Sequence, residues 1–268
     1  MSLLASLIAP LFVPADRPER FAKAATSGAD AVIIDLEDAV PAADKASARD
    51  QLRDAALDVP VIVRINGAAT PWHQDDVAAL DGLDIAAIIL PKAEREQEGA
   101  SLAAIAPVIA LVETARGLAN VRALAQSGAF ARLAFGSIDF AADIGCDHLP
   151  EALLAARSEL VLASRLGALP PPLDGVTTDI SNPAATRDDA RAARSLGFGG
   201  KLLIHPRQVA AVFEGFLPTP EEVEWARQVL AADEEGAVKI GEQMVDAPVR
   251  IRARALLSRS EAGGAVIA

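Results

Sequence analysis

The chain has 268 residues, a length at which an α/β barrel forms a single domain. Its formal net charge of -12 argues against nucleic acid as a partner, because binding phosphates calls for concentrated lysine and arginine. Aromatic residues make up only 4%, with no tyrosine, so few side chains are available for stacking on bases. The single cysteine, Cys146, permits neither an intrachain disulfide nor a multi-cysteine metal site.

Hydrophobic residues make up 51% of the chain, enough for a sizeable core. Residues 3–9 are apolar, but no basic region precedes them and the stretch is too short to span a bilayer. We therefore expect a cytoplasmic protein with no membrane partner.

Short apolar runs alternate with helical segments along the chain. The apolar runs predict strands at residues 9–13, 31–35, 61–65, 85–90, 108–112, 133–135, 173–178 and 200–204. Predicted helices include residues 42–57, 74–83, 118–126, 151–167, 186–196, 220–235 and 250–259. Eight strands alternating with helices are typical of a (β/α)8 TIM barrel rather than an open sheet. We expect the barrel to span residues 1–217 and a C-terminal helical arm to span residues 218–268.

Charged side chains follow several of the predicted strands. Glu113 follows the fifth strand, Asp139 follows the sixth, and Arg64 lies near the end of the third. The carboxyl ends of barrel strands meet at one rim, where barrel enzymes build their active sites. Two carboxylates there suit Mg²⁺, which keeps several water ligands. Each acid could instead cap the helix that follows it.

Arg64 interrupts an otherwise apolar strand, and its guanidinium could hold a substrate carboxylate and stabilise an oxyanion. It could equally form a salt bridge at the rim with an acid after the second strand: Asp35, Glu37 or Asp38. These acids could also orient metal-bound water.

The remaining reactive residue types give weaker signals. His73, His148 and His205 show no ligand spacing, which argues against a zinc site. His205, before Pro206 at a strand end, is the most site-like of the three, although packing also accounts for it. The glycine-rich residues 197–201 lead into a predicted strand. A nucleotide-binding loop leads into a helix, so this segment is weak evidence for nucleotide binding.

Several segments together resemble one family over nearly the whole chain. They resemble the citrate lyase beta-subunit family, within the larger HpcH/HpaI aldolase and malyl-CoA lyase group. The segments, in the family's order, are residues 11–19, 32–40, 63–66, 90–92, 113–117, 135–139 and 201–206.

This resemblance implies a Mg²⁺-dependent enzyme that cleaves or forms a carbon–carbon bond in a 3-hydroxyacyl-CoA thioester of the citryl, malyl or citramalyl type. It places the metal on Glu113 and Asp139 and the substrate-polarising cation on Arg64. It also implies that Arg17 contacts the thioester handle, with Lys92 and His205 as further candidates.

The resemblance extends to the C-terminal arm. In this family an arm from a neighbouring subunit can close the site, and residues 243–248 are similar to that segment. This implies that Asp246 is an acid or base supplied in trans. Glu37 and Asp38 are further candidate catalytic residues, as acids that could orient metal-bound water. It also implies a homotrimer or a multiple of one.

Three alternatives remain open: a class II aldolase acting on pyruvate or another 2-keto acid, a malyl-type thioesterase, and a subunit that works only with an acyl carrier protein. The aldolases carry a histidine after the acid of the second strand, whereas this chain has Glu37 and Asp38. That difference favours the thioester branch. No strongly basic patch indicates the 3′-phosphate of CoA, so free CoA and a carrier protein both remain possible handles.

Overall fold

The computed structural model describes residues 3–55, 57–231, 238–240 and 243–267. Eight parallel strands form one sheet in chain order. They are β1 (Leu11–Pro14), β2 (Val32–Asp35), β3 (Val61–Arg64), β4 (Ala87–Leu90), β5 (Val108–Val112), β6 (Arg132–Phe135), β7 (Leu173–Asp174) and β8 (Gly200–Lys201).

Backbone hydrogen bonds join the two ends of this sheet. The Phe12 N–H donates to the Leu203 carbonyl at 2.8 Å, and the Leu203 N–H donates to the Pro10 carbonyl at 3.0 Å. The first strand therefore lies beside the segment that follows the eighth, and the sheet closes on itself. The predicted (β/α)8 barrel is confirmed.

Helices cover the outside of the barrel and form the arm. They are α1 (Leu3–Ser6), α2 (Phe21–Ala25), α3 (Lys45–Asp50), α4 (His73–Ala79), α5 (Glu96–Leu102), α6 (Ala115–Gln126), α7 (Ser137–Ile144), α8 (Leu154–Leu166), α9 (Pro183–Leu196), α10 (Val209–Phe216), α11 (Pro220–Ala231) and α12 (Ala247–Ile267). Short 3₁₀ turns lie at Pro18–Arg20, Ala42–Asp44, Gln51–Asp54 and Pro206–Gln208. An antiparallel hairpin, β9 (Val238–Ile240) and β10 (Gln243–Val245), precedes α12.

Both faces of the strands are apolar because both are buried: the outer face lies under the helices and the inner face lies in the barrel interior. All five residues of β5 are buried. Within it, Ile109 packs with the cluster that includes Leu4 and Leu7, whereas Ala110 packs with the cluster beneath the surrounding helices. This period of two fixes which side chains point into the barrel.

Several elements differ from the sequence prediction. The helix expected over residues 42–57 is a six-residue α-helix with a 3₁₀ turn at each end, a common way for helix ends to tighten. Helices α5, α7 and α10 were not predicted; α7 begins two residues after β6, so no loop separates it from the strand. Strand β7 ends before Gly175, where a Cβ would lie 2.1 Å from the Ser137 hydroxyl oxygen.

The arm has a small core of its own. Five buried residues from α11, β10 and α12 form it: Ala226, Val229, Val245, Ala253 and Leu256. An ion pair of 2.6 Å between Arg194 of α9 and Glu222 of α11 joins the arm to the barrel. The domain boundary at residue 217 stays a prediction. Across the described residues, every helix is too short or too polar to cross a membrane.

Candidate active site

A cavity of about 440 Å³ opens at the carboxyl ends of the strands. The period of two explains its charged lining, because Asp35 follows Ile33, Arg64 follows Ile62, and Glu113 follows Leu111 on the inward face. The strands therefore place an acid, a cation and a second acid above an apolar interior. The lining residues are Phe12, Pro14, Asp35, Asp38, Ala39, Arg64, Leu111, Glu113, Phe135, Gly136, Ser137, Ile138, Asp139, Val176, Leu202 and Ile204.

Arg64 is held by two carboxylates. Its Nε and Nη2 donate to the two Asp35 oxygens at 2.7 and 2.6 Å, and its Nη1 lies 3.0 Å from Glu37 Oε2. The guanidinium carbon lies 4.7 Å from the centre of the Phe12 ring. Burial disfavours the charge, but Asp35 and Glu37 outweigh it and raise the pKa of Arg64. The rim salt bridge considered from the sequence is therefore present, and Arg64 also lines the cavity.

Lys92 joins the acids of three different elements. Its Nζ donates to Glu37 Oε1 at 2.6 Å and lies 3.7 Å from Glu113 Oε1 and 3.9 Å from Asp139 Oδ2. Its own N–H donates to Glu113 Oε1 at 2.8 Å. Lys92 has a φ of 51°, an unusual conformation outside glycine that needs support from its surroundings. Both hydrogen bonds provide that support.

Glu113 is almost fully buried and close to other acids. Burial, with Glu37 adding to it, raises the pKa of Glu113 to about 8 against the opposing effect of Lys92. Burial likewise raises the pKa of Glu37, although Arg64 and Lys92 oppose it. A Cβ at Gly136 would lie 2.3 Å from Glu113 Oε2, so only glycine leaves room for this carboxylate.

Neither Glu113 nor Asp139 caps a helix. The cap of α6 is Thr114, whose hydroxyl accepts from the Gly117 N–H at 2.9 Å. Asp139 lies in the first turn of α7, where no side chain makes a capping bond, and its side chain is 41% exposed at the cavity. The capping alternative therefore does not account for either acid.

The charges of this site do not balance. Four carboxylates face two cations in what we call the acid-rich cluster: Asp35, Glu37, Arg64, Lys92, Glu113 and Asp139. When all four acids are ionised, as ligands of a metal must be, the excess is two negative charges, which a divalent cation would offset. Within the described chain no group of three histidine, cysteine or acidic side chains is arranged to hold a metal ion. Two carboxylates completed by water suit Mg²⁺, which rarely has an all-protein cage.

The model of the HpcH/HpaI aldolase/citrate lyase family matches residues 9–206. The chain belongs to this family. It is 41% identical over 263 residues to the citrate lyase subunit beta-like protein of Mycobacterium tuberculosis, covering 93% of this chain and 94% of the relative. It is 32% identical to a (3S)-malyl-CoA thioesterase of Cereibacter sphaeroides, covering 94% of each.

A solved structure gives the same relationship. The crystal structure of CitE from Mycobacterium tuberculosis, in complex with magnesium, acetoacetate and coenzyme A, matches this chain with a TM-score of 0.87. The two chains are 39% identical over 95% of this chain and 98% of that one. The family resemblance predicted from the sequence motifs is confirmed.

The three residues that the family resemblance assigned to the thioester handle lie in different parts of the structure. Arg17 is exposed beside a second cavity of about 400 Å³, which Asp16 and Gln51 also line. Lys92 lies in the acid-rich cluster instead. His205 caps a 3₁₀ turn, because its Nδ1 accepts from the Arg207 N–H at 3.1 Å. The role of each in holding a thioester stays a prediction.

Asp246 lies in the arm, at the start of α12. Its Oδ1 accepts from the Val249 N–H at 3.2 Å, and the residue is exposed. Among the described residues, no hydrogen bond or ion pair joins Asp246 to the acid-rich cluster. Residues 241–242, just before this segment, and the side chains of residues 243–244 lie outside the described part of the chain.

Sequence reasoning missed one pair at the cavity wall. The Ser137 hydroxyl lies 2.9 Å from His148 Nε2, and Ser137 lines the cavity. Burial and the nearby Arg157 lower the pKa of His148, so its imidazole is neutral near pH 7. A scan for histidine spacing cannot detect this pair, since the partner is a serine eleven residues away.

Proposed function

We propose that this protein is a Mg²⁺-dependent carbon–carbon lyase that acts on a 3-hydroxyacyl-CoA thioester of the citryl, malyl or citramalyl type. The observation that carries the proposal is the acid-rich cluster, whose unbalanced carboxylates line a cavity at the carboxyl rim of the barrel. The relative solved with magnesium and coenzyme A supports both the metal and the thioester.

Glu113 and Asp139 would hold the metal, which when bound polarises a substrate oxygen and offsets developing negative charge. Glu113 must be ionised for this, because a metal ligand has to be deprotonated. Lys92 keeps Glu37 in place through its 2.6 Å hydrogen bond, and Glu37 in turn contacts Arg64. The acids that do not bind the metal thus fix the cation beside it.

Arg64 orients the substrate. Its guanidinium has five N–H groups, of which the three contacts to Asp35 and Glu37 leave some free to bind a substrate carboxylate or carbonyl. Asp35 fixes the plane of the guanidinium in advance, so little reorganisation is needed when an oxyanion forms.

Cleavage requires a base and then an acid. A carboxylate removes the proton from the 3-hydroxyl, the bond between C2 and C3 breaks, and the thioester fragment leaves as an enolate that is protonated at C2. We assign the acid–base role to Asp246 of a neighbouring subunit in a homotrimer or a multiple of one, because Asp246 is exposed and lies apart from the cluster of its own chain. Arg17 would contact the CoA handle.

A thioesterase acting on a malyl-type substrate is the second candidate. The similarity to the Cereibacter sphaeroides thioesterase favours it. Ser137 at the cavity wall contacts the neutral His148, and this pair could take a proton from water through the serine hydroxyl. The same metal and Arg64 would serve both reactions. In hydrolysis water attacks the thioester carbonyl, the C–S bond breaks and CoA leaves as the protonated thiol, whereas in the lyase reaction the bond between C2 and C3 breaks and the thioester stays intact.

Two measurements separate these possibilities. The first is calorimetric titration of Mg²⁺ into the wild type, Glu113→Ala and the control Glu96→Ala, an exposed acid of α5. We expect binding to be lost in Glu113→Ala alone. The second is a panel of citryl-, malyl- and citramalyl-CoA, assayed for the cleaved acyl-CoA and for free CoA.

Release of an acyl-CoA identifies the lyase, whereas release of free CoA identifies the thioesterase. Turnover of pyruvate with an aldehyde, or of an acyl carrier thioester alone, would replace the proposal with the aldolase or the carrier-dependent subunit. Absence of Mg²⁺ binding in the wild type would overturn the mechanism.

A further inference from the structure

Another charged cavity, of about 640 Å³, lies where α9 meets the arm. Arg194 is in the last turn of α9, a helix that returns the chain to the amino ends of the strands before β8. The cavity is therefore at the end of the barrel opposite to the acid-rich cluster. The residues that line it include Arg191, Arg194, Glu222, Arg252, Ala255 and Arg259.

Two helices each supply a pair of arginines on one face. Arg191 and Arg194 are three residues apart on α9, and Arg252 and Arg259 are seven apart on α12, close to two full turns. Between the latter two lies Ala255, whose small side chain leaves space at the cavity wall. All four arginines therefore line one cavity, and the Arg252 guanidinium carbon lies 5.2 Å from the centre of the Trp225 ring.

The carboxylates near this space neutralise only part of the charge. Among the described residues Glu222 is the one acid that lines it, and its carboxylate is engaged by Arg194 at 2.6 Å. Asp188 does not line the cavity, but its Oδ1 lies 3.7 Å from Arg191 Nη1, and its side chain is 68% exposed. Such an exposed pair is screened by water and contributes little.

Arg259 is the least compensated of the four. No hydrogen bond, ion pair or ring contact joins its guanidinium to another residue in the described part of the chain. Burial and the positive charge of Arg194 both lower the pKa of Arg259, while Glu222 only partly opposes them. The fold thus brings a partly buried cation close to a like charge, an unfavourable arrangement unless an anion joins them.

We propose that this cavity binds a multivalent oxyanion, a molecule carrying several phosphate or carboxylate groups. Guanidinium groups recognise both groups through paired N–H···O hydrogen bonds. The volume exceeds that of a single phosphate ion, so one ligand can reach guanidiniums from both helices. Because α9 belongs to the barrel and α12 to the arm, the bound anion would hold the two together. The proposal does not depend on the reaction at the acid-rich cluster.

The test uses the full chain freed of Mg²⁺, with sodium tripolyphosphate as the phosphate probe and tricarballylate as the carboxylate probe. Binding is measured by calorimetry at constant ionic strength, together with the shift in thermal midpoint. We expect saturable binding of at least one probe and a higher midpoint. Binding of one probe alone would identify the phosphate or the carboxylate class.

Three variants locate the site. Arg259→Ala should weaken binding at least tenfold while leaving the midpoint without anion unchanged or higher, because no described residue makes a hydrogen bond or ion pair with Arg259. Arg227→Ala, on the exposed side of α11, should bind like the wild type. Arg17→Ala should also bind like the wild type, since Arg17 lies at the opposite rim.

The proposal fails if neither probe saturates, or if Arg259→Ala binds as tightly as the wild type. It also fails if Arg17→Ala abolishes binding, which would move the anion to the candidate active site. A change in oligomer size in Arg259→Ala without any anion binding would instead make the arginines a contact between protein subunits.

Discussion

Two groups of charged side chains in this barrel differ in balance. The acid-rich cluster, on segments from β2 to α7, has four acids and two cations. At β7 and β8, Lys201 contacts Asp174 at 2.9 Å and Asp189 at 2.8 Å, while Arg157 donates to Asp174 at 2.9 Å. We call this second group, with two acids and two cations, the balanced cluster: Arg157, Asp174, Asp189 and Lys201.

The pKa values follow the balance. Burial alone would raise the pKa of Asp174, but Lys201 and Arg157 outweigh it and lower that pKa. In the acid-rich cluster burial prevails, and the pKa of Glu113 rises to about 8. A buried charge group that neutralises itself stabilises the fold and needs no ligand. The acid-rich cluster instead relieves its excess negative charge by protonation, which the raised pKa of Glu113 reflects, or by binding a cation.

The largest expected effect comes from substituting the same residue type in each cluster. Asp174→Asn removes the charge that compensates Lys201 and Arg157, and breaking such a buried pair costs roughly 3–5 kcal/mol of unfolding free energy. Asp139→Asn removes a surplus charge, so without Mg²⁺ it should leave that free energy unchanged or raise it. Urea denaturation measures both. Equal destabilisation would refute the distinction between the clusters.

The next effect concerns Arg64, whose two hydrogen bonds to Asp35 are matched by those of Arg122 to Glu159 on the surface. Arg64→Lys loses the planar fork, and we expect turnover to fall about 10²–10³-fold, as for loss of one oxyanion donor. The control Arg122→Lys should keep full turnover, because that pair is exposed. Steady-state kinetics of both variants, with the substrate identified from the CoA panel, measures this difference in turnover. An active Arg64→Lys would argue that Arg64 is only a rim salt bridge.

The two clusters should also respond to pH in opposite directions. The pKa of Glu113 is raised from 4.5, so the stability tied to its neutral form is present at low pH and is lost as pH rises towards about 8. The pKa of Asp174 is lowered from 3.8, so its contribution is present above that pH and is lost only in acid.

The variant Glu113→Gln isolates the first of these effects. Without Mg²⁺, its unfolding free energy relative to the wild type should become more favourable between pH 5 and pH 8, because glutamine does not ionise. Urea midpoints measured at intervals across this range provide the test, and saturating Mg²⁺ should favour the wild type again. A difference that stays constant with pH would mean that Glu113 is ionised throughout.

The sequence predicts the barrel and two of these side chains for one physical reason. A parallel strand buried on both faces is a run of apolar residues, so Arg64 and Glu113 stand out as charges at its carboxyl end. The contacts of Lys92 could not be found in this way, because its partner Glu37 is 55 residues distant and its left-handed backbone depends on tertiary hydrogen bonds. The constraint on Gly136 likewise appears only when two neighbouring strands are packed together.

The smallest expected effect comes from substituting Thr114, the residue that follows Glu113 in the sequence. Thr114 caps α6, and its hydroxyl also donates to Glu94 at 2.9 Å. Thr114→Ala should therefore cost about 1 kcal/mol of unfolding free energy, the usual effect of losing a cap. Affinity for Mg²⁺ should not change, because the Glu113 carboxylate is held by the Lys92 N–H and not by the helix. Calorimetric titration checks this, and a Mg²⁺ affinity that falls with the cap would show that α6, rather than the strand, positions Glu113.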